Sequence, residues 1–216
     1  MRDKKDILLA AEKLAYESCK GDSSGHDWWH IVRVRNLAGT IAQKEGADVF
    51  ICELAALLND VADEKLVADP KKREEELCQW LFEQGLAEKD CQHVMTIIKT
   101  MSFKGGTNPP MTTLEGQVVQ DADRLDAIGA IGIARVFAYS GAKGRPIHDP
   151  NRTARETLTL RDYRSGQDTA IMHFYEKLLK LKDLMNTDYA KTLALHRHQF
   201  LEDYLDEFLA EWDAKS

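Results

Sequence analysis

No stretch of this 216-residue chain approaches the roughly 20 consecutive apolar residues that a membrane span needs. An excess of basic charge is missing too: 29 Lys and Arg stand against 36 Asp and Glu, for a formal net charge of -7. That balance argues against a general binder of nucleic-acid polymers, which presents a basic surface. It leaves room for a small anionic substrate, because a bound cation neutralises phosphate locally. Cysteine is scarce. The four residues at positions 19, 52, 78 and 91 form no CxxC pair, so reduced and mostly buried thiols are expected. The N-terminal stretch MRDKKDILLAAEKLAYESCKG is charged and amphipathic, without a signal-type apolar region, and a cytoplasmic protein is the expectation. No segment alternates as a strand would, and no repeat of 20 to 50 residues is visible.

What remains is helix after helix. Hydrophobic residues make up 44% and charged residues 30%, ordinary for a globular chain of a length that supports one substantial core. Apolar spacing predicts a first helix over about 3–19, ended by Lys20-Gly21. Ser23, Ser24 or Asp27 caps a second, which carries Trp28, Ile31, Val34, Leu37, Ala38 and Ile41. A third runs over about 48–60, and Asp69-Pro70 starts a fourth that Gly85 ends. A fifth covers about 87–101, and a loop rich in Gly and Pro follows over 102–113. The pattern then predicts one helix over 114–139, a turn-rich loop over 140–152, and helices over about 166–185 and 188–213. The small residues Ala127, Gly129, Ala130, Gly132 and Ala134 point to close helix packing. The expected fold is all-α, a single domain over residues 1–216.

One stretch organises the candidate chemistry. In Ala55 to Lys65 (AALLNDVADEK), an apolar run delivers Asn59 and Asp60 at a core-facing position, and Asp63 and Glu64 follow within a turn. Polar groups there carry a desolvation cost unless something pairs with them. His26 and His30, four apart, share a face if that segment is helical. A third acidic site follows at Asp121, Asp123 and Asp126. Imidazole with carboxylate and amide oxygens is a mixed N/O donor set, suited to Mn, Fe, Mg or Zn rather than to a thiolate metal.

The stretch HIVRV at His30 to Val34, the pattern apolar-N-D-x-x-D-E at 58–64, and QDADRLDAIGAIGIARVF at 120–137 resemble the HD-domain phosphohydrolase superfamily. Within it, the chain is similar to the small bacterial stand-alone proteins that include nucleotide pyrophosphohydrolases. The resemblance spans about residues 23–145, with MSFKGG at 101–106 also typical, and leaves about 151–216 as a C-terminal helical extension. It implies an HD-type helical bundle that binds a divalent metal (Mn, Mg, Fe, Ni or Zn). The matching ligand positions are His30, Asn59, Asp60 and Asp123, with Asp121 not separated from Asp123 by spacing. It also implies that Asp63 and Glu64 help to activate the attacking water. The substrate would be a phosphate ester or anhydride, a nucleotide first among them. No nucleic-acid polymer or membrane partner is expected, and a homo-oligomer is compatible.

The chain departs from the family pattern at one position. Where the family has the histidine of its His-Asp doublet, this sequence has Asn59, which offers a carbonyl oxygen but no imidazole nitrogen. A working site that tolerates Asn or favours harder cations, an impaired homologue that binds nucleotide or metal in a regulatory role without turnover, and a deliberately inactivated variant all remain open. A di-iron oxygenase of the HD type needs further histidines, and between 31 and 147 only His93 is present. Lys104, in the loop FKGGT, either meets a substrate phosphate or is an exposed loop lysine. His26 either hydrogen-bonds a phosphate or a metal-bound water, or caps and packs. Arg33 and Arg124 are expected to brace nearby acids, and Arg145 and His148 to lie in a solvated loop.

Overall fold

The computed structural model describes residues 2–19, 27–62, 69–101, 110–155 and 168–215. They form an all-α fold, and no strand occurs among them. No single helix among them is long and apolar enough to cross a membrane. The described residues divide into two compact units, one reaching Asp123 and the other starting at Arg124.

The first unit is built around one helix whose C-terminal half is buried on every side. Helices α1 (Lys4–Ser18), α2 (Trp28–Glu45), α3 (Val49–Leu58), α4 (Pro70–Glu83) and α5 (Glu88–Thr100) precede α6 (Leu114–Asp126), within which the division falls. Helix α3, sequence VFICELAALL, buries Ile51, Cys52 and the whole run Leu54 to Leu58. A helix apolar around its full circumference is stable only when neighbours cover all its faces. Here α1, α2 and α5 pack against it. Asp48 caps its start, its carboxylate accepting from the amides of Phe50 and Ile51 at 2.9 and 3.2 Å. Its end winds without a break into a tighter 3-10 turn, Asn59–Ala62.

Side-chain caps set the starts of α2 and α4 as the sequence predicts. Asp27 caps α2 by accepting from His30 N at 2.8 Å, and Gly46 ends that helix at φ 74° in the left-handed region. Asp69 caps α4 by accepting from Lys72 N at 3.1 Å. Cys19, Cys52 and Cys91 are buried free thiols, as expected, while Cys78 is half-buried. Burial and the nearby Glu115, Asp48 and Glu53 carboxylates push the Cys52 thiol up to about 12.

In the second unit, α7 (Gly129–Ala142), α8 (Ala170–Glu176) and α9 (Asp188–Trp212) share an aromatic core. Phe137, Phe174 and Tyr204 meet there with ring centroids 5.8–6.2 Å apart. Two expectations are corrected in this part of the chain. The helix expected over 114–139 is two, because Ala127 and Ile128 close the end of α6 through i→i+3 bonds and Gly129 follows at φ 75°. A Cβ on Gly132 would lie 2.3 Å from the Ala127 carbonyl oxygen, so α7 needs glycine there. Ala130 and Ala134 are exposed and take no part in the close packing expected of them.

Of the helix expected over 166–185, residues 166 and 167 lie outside the described set. The rest is α8 followed by two 3-10 turns, Leu178–Lys180 and Lys182–Leu184. Lys177 leaves helical geometry at φ -135° and ψ -58°, with no glycine or proline to signal it. The loop expected to be solvated is docked. Arg145 pairs with the buried Asp168 at 2.9 Å, and His148 packs edge-on against Trp212 at 4.8 Å. Arg155 grips the buried Glu176 through its Nε and Nη2 at 2.8 and 2.9 Å. Burial alone would raise the Glu176 carboxyl, and these bonds outweigh it, holding it below the usual range.

His173 lies beside Asp168 at 3.8 Å, but Arg145 already answers that charge. Burial first, then Lys177 and Arg145, lower its imidazole to about 3. The unfolded chain takes up this proton below about 6.5 while the folded chain does not, so stability falls as pH drops from about 6.5 toward about 3. Urea unfolding at pH 7 and pH 5 should show a loss roughly 1–2 kcal/mol larger for the parent chain than for His173→Gln. Equal losses in the two chains would contradict a neutral, half-buried His173. Gly132→Ala should cost about 1–3 kcal/mol by overpacking, read from the shift in urea midpoint at constant slope.

Candidate metal centre

The candidate centre assembles from three helix ends in the first unit. His30 is in the first turn of α2, where the Asp27 cap claims its backbone N–H and leaves the imidazole turned inward, 1% exposed. Asp60 follows the last turn of α3, on the 3-10 segment, and is also buried. Asp123 comes from the last turns of α6, with its side chain 39% exposed. The His30 Nε2 atom stands 3.5 Å from Asp60 Oδ2 and 3.5 Å from Asp123 Oδ1. These separations exceed the roughly 2.7–3.2 Å of a good N–H···O bond, so the three groups converge without satisfying one another fully. Two carboxylates drawn to one ring nitrogen concentrate negative charge that a cation would offset.

The three aspartates of α6 have different environments. Residues 121 and 123 diverge by about 200° on a helix, so they cannot share a face. Asp121 is fully buried. Asp126 is buried against Arg135, which donates to its carboxylate at 2.8 Å and to its backbone carbonyl at 3.2 Å. Asp123 is the one that the structure brings to His30. Arg124, expected to brace an acid, donates to the Leu184 carbonyl.

Asn59 is half-buried, immediately before Asp60, and its Oδ1 is withdrawn from solvent with no hydrogen-bond donor to meet it. An amide oxygen left in that condition costs about 1–3 kcal/mol. Among the described residues, no three His, Cys, Asp or Glu groups close into a complete ligand cluster by themselves. The donors present nonetheless suit a divalent ion, one imidazole nitrogen with carboxylate oxygens nearby, and the orphaned amide oxygen is the kind of atom such an ion would satisfy. Asp63, Glu64, His26 and Lys104 lie outside the described residues.

Sequence reasoning left one polar network unread. The Glu115 carboxylate accepts from Asp48 N at 3.1 Å and lies 3.7 Å from His93 Nε2, which also meets the Thr113 hydroxyl at 3.1 Å. It ties the start of α3 to α5 and α6, and it gives His93 an anchoring role. Its contacts join residues 20 to 67 positions apart in the chain, with no shared motif to announce them.

Residues 28–128 match the HD domain family. The Bacillus subtilis protein YpgQ is 42% identical over 186 residues, covering 85% of this chain and 83% of YpgQ. The chain belongs to the HD-domain family. A crystal structure of a Lactobacillus plantarum protein superposes on this HD-domain chain with a TM-score of 0.88 at 46% identity, covering 99% and 100% of the two. A Bacillus thuringiensis HD-superfamily hydrolase gives 0.78 at 42% identity, with 98% and 100% covered. The structure of YpgQ in complex with ADP gives 0.74 at 39% identity, with 97% of each chain covered. The HD-domain chain thus has the fold of HD-superfamily hydrolases, a family whose members generally depend on a divalent metal.

If Asp126 is scaffold and Asp123 is site, the two should separate in stability. Asp126→Ala, which removes the buried carboxylate from the Arg135 ion pair, should lose about 3–5 kcal/mol. Asp123→Ala should change stability by no more than about 0.5 kcal/mol, because it removes one of two carboxylates crowding His30. Equal losses in denaturant unfolding would place both residues in the scaffold.

Proposed function

We propose that this chain is a divalent-metal-dependent phosphohydrolase that acts on a phosphate ester or anhydride, with a nucleotide as substrate. The observation that carries the reading is the convergence of Asp60 and Asp123 on His30 at 3.5 Å. His30, Asp60 and Asp123, together with Asn59, would hold the metal. When bound, a divalent ion supplies Lewis acidity, polarising a phosphoryl oxygen and acidifying water. His30 contributes a neutral nitrogen donor whose position the Asp27 cap fixes at the backbone. Asp60 contributes negative charge from a buried position, where little water screens it. Asp123, the more exposed of the two carboxylates, stands nearer to solvent.

Asp63 and Glu64, three and four residues beyond Asp60, take the role of orienting the attacking water and removing its proton. Lys104 and His26 take the substrate phosphate. The roles of Asp63 and Glu64 rest on the resemblance of the sequence to the family, and those of Lys104 and His26 on the cationic and hydrogen-bonding chemistry of their side chains. Nucleotide substrates are supported by the ADP complex of YpgQ. In this proposal the chain works in the cytoplasm as a single HD-type domain, residues 1–216, with its C-terminal helices as an extension.

Asn59 favours a second reading, a nucleotide- or metal-binding homologue without turnover. A nucleotide panel with added Mn separates the two. The proposed hydrolase releases phosphate or pyrophosphate, and Asp60→Ala lowers that release by at least about 10²-fold. Full Mn-dependent release by Asp60→Ala would rule out this site, while nucleotide binding with no product would favour the second reading.

A further inference from the structure

We propose that Asn59 is a metal ligand through its Oδ1 atom and that it biases the site toward oxygen-preferring divalent ions, Mn or Mg, and away from Zn and Ni. The proposal rests on the reading that His30, Asp60 and Asp123 hold a metal, and it adds the class of ion.

The first observation is the orphaned oxygen. Asn59 Oδ1 is buried and accepts no hydrogen bond, and among the described residues no other such side-chain atom lies in the first unit. The others belong to His148, Asp168 and His198, all in the second unit. The second observation is position. Asn59 directly precedes Asp60 on the turn that ends α3, whose neighbours Leu57, Leu58 and Val61 are at most 1% exposed. Packing alone would favour an apolar side chain beside those three. A carboxamide held there without a donor to its oxygen is costly to the apo chain, and a cation is the partner that would satisfy it.

The chemistry of the donor set then gives the ion class. An amide ligates through its oxygen, since its nitrogen has no available lone pair. With Asn59 the set becomes one imidazole nitrogen, two carboxylates and one neutral carbonyl oxygen. Carbonyl and carboxylate oxygens suit Mg and Mn, whereas imidazole suits Zn, Ni, Cu and Fe. Replacing an imidazole by a carbonyl therefore removes more affinity from Zn and Ni than from Mn. Mg, which keeps several waters and takes one or two carboxylates plus substrate phosphates, tolerates the same set.

The test is calorimetric titration of the full chain with MnCl2 and, separately, ZnCl2, without nucleotide. Asn59→His should tighten Zn at least about tenfold more than Mn. A Mn-to-Zn ratio within about twofold of the parent's would overturn the assignment of Asn59. Should Asn59→His fail to fold by circular dichroism, Asn59→Asp carries the test. It keeps an oxygen and adds a charge, so it should tighten Mn about tenfold or more, and unchanged Mn affinity would overturn the proposal. Asp60→Ala keeps the two readings apart. If it abolishes Mn binding while the Asn59 variants leave selectivity unchanged, only the role of Asn59 fails. If Mn binds it as tightly as the parent, the metal site itself fails.

Discussion

The candidate centre depends on the burial of the C-terminal half of α3 on all sides. A helix whose residues from Leu54 to Leu58 are all inaccessible has to be enclosed, and α1, α2 and α5 enclose it. The chain can leave such a helix only through the interior, so the polar residues after Leu58 emerge beside protein rather than beside water. Asp60 is buried for that reason, and desolvation makes its charge consequential. His30 reaches it because α2 packs along α3 and begins at a cap that holds the first turn in place.

Charge is sorted the same way, by partner rather than by residue type. Buried carboxylates such as Asp126, Asp168 and Glu176 each have an arginine within hydrogen-bonding distance, at Arg135, Arg145 and Arg155. Such pairs are scaffold, because a buried charge without a partner would destabilise the fold. Asp60 and Asp123 face a histidine that cannot satisfy both, and Asn59 adds an oxygen with no donor. Natural sequences keep carboxylates converging on one imidazole, without an arginine between them, chiefly at functional sites.

Sequence periodicity identified the helices well wherever a cap or a break has a residue signature. Asp27 and Asp69 each mark a helix start by a capping carboxylate, and Gly46 ends α2 because glycine takes the left-handed backbone without strain. It failed where the break is made by contact. Gly129 and Gly132 lie in a stretch whose apolar spacing continues a helix. The turn between α6 and α7 becomes visible only when a Cβ on Gly132 is seen to collide with the Ala127 carbonyl. Lys177 gives no local sign at all, since its backbone departs from helix in a run of good helix formers. The loop around Arg145 reads as solvated because its residues are polar, yet an ion pair to Asp168, 23 positions away, docks it.

The site shows the same division. By itself the sequence determined that the chain is helical, that an apolar segment ends in Asn59 and Asp60, and that its motifs resemble those of the HD-domain family. Those properties are written in local spacing and residue type. Only the tertiary structure shows that Asp123 lies beside His30 while Asp126 pairs with Arg135, because side-chain direction on a helix and the supply of arginine partners depend on what packs alongside. It also decided that Asn59 is a buried oxygen without a donor rather than a solvated amide. Burial and partnership are properties of neighbours brought together by the fold, and no single stretch of chain contains them.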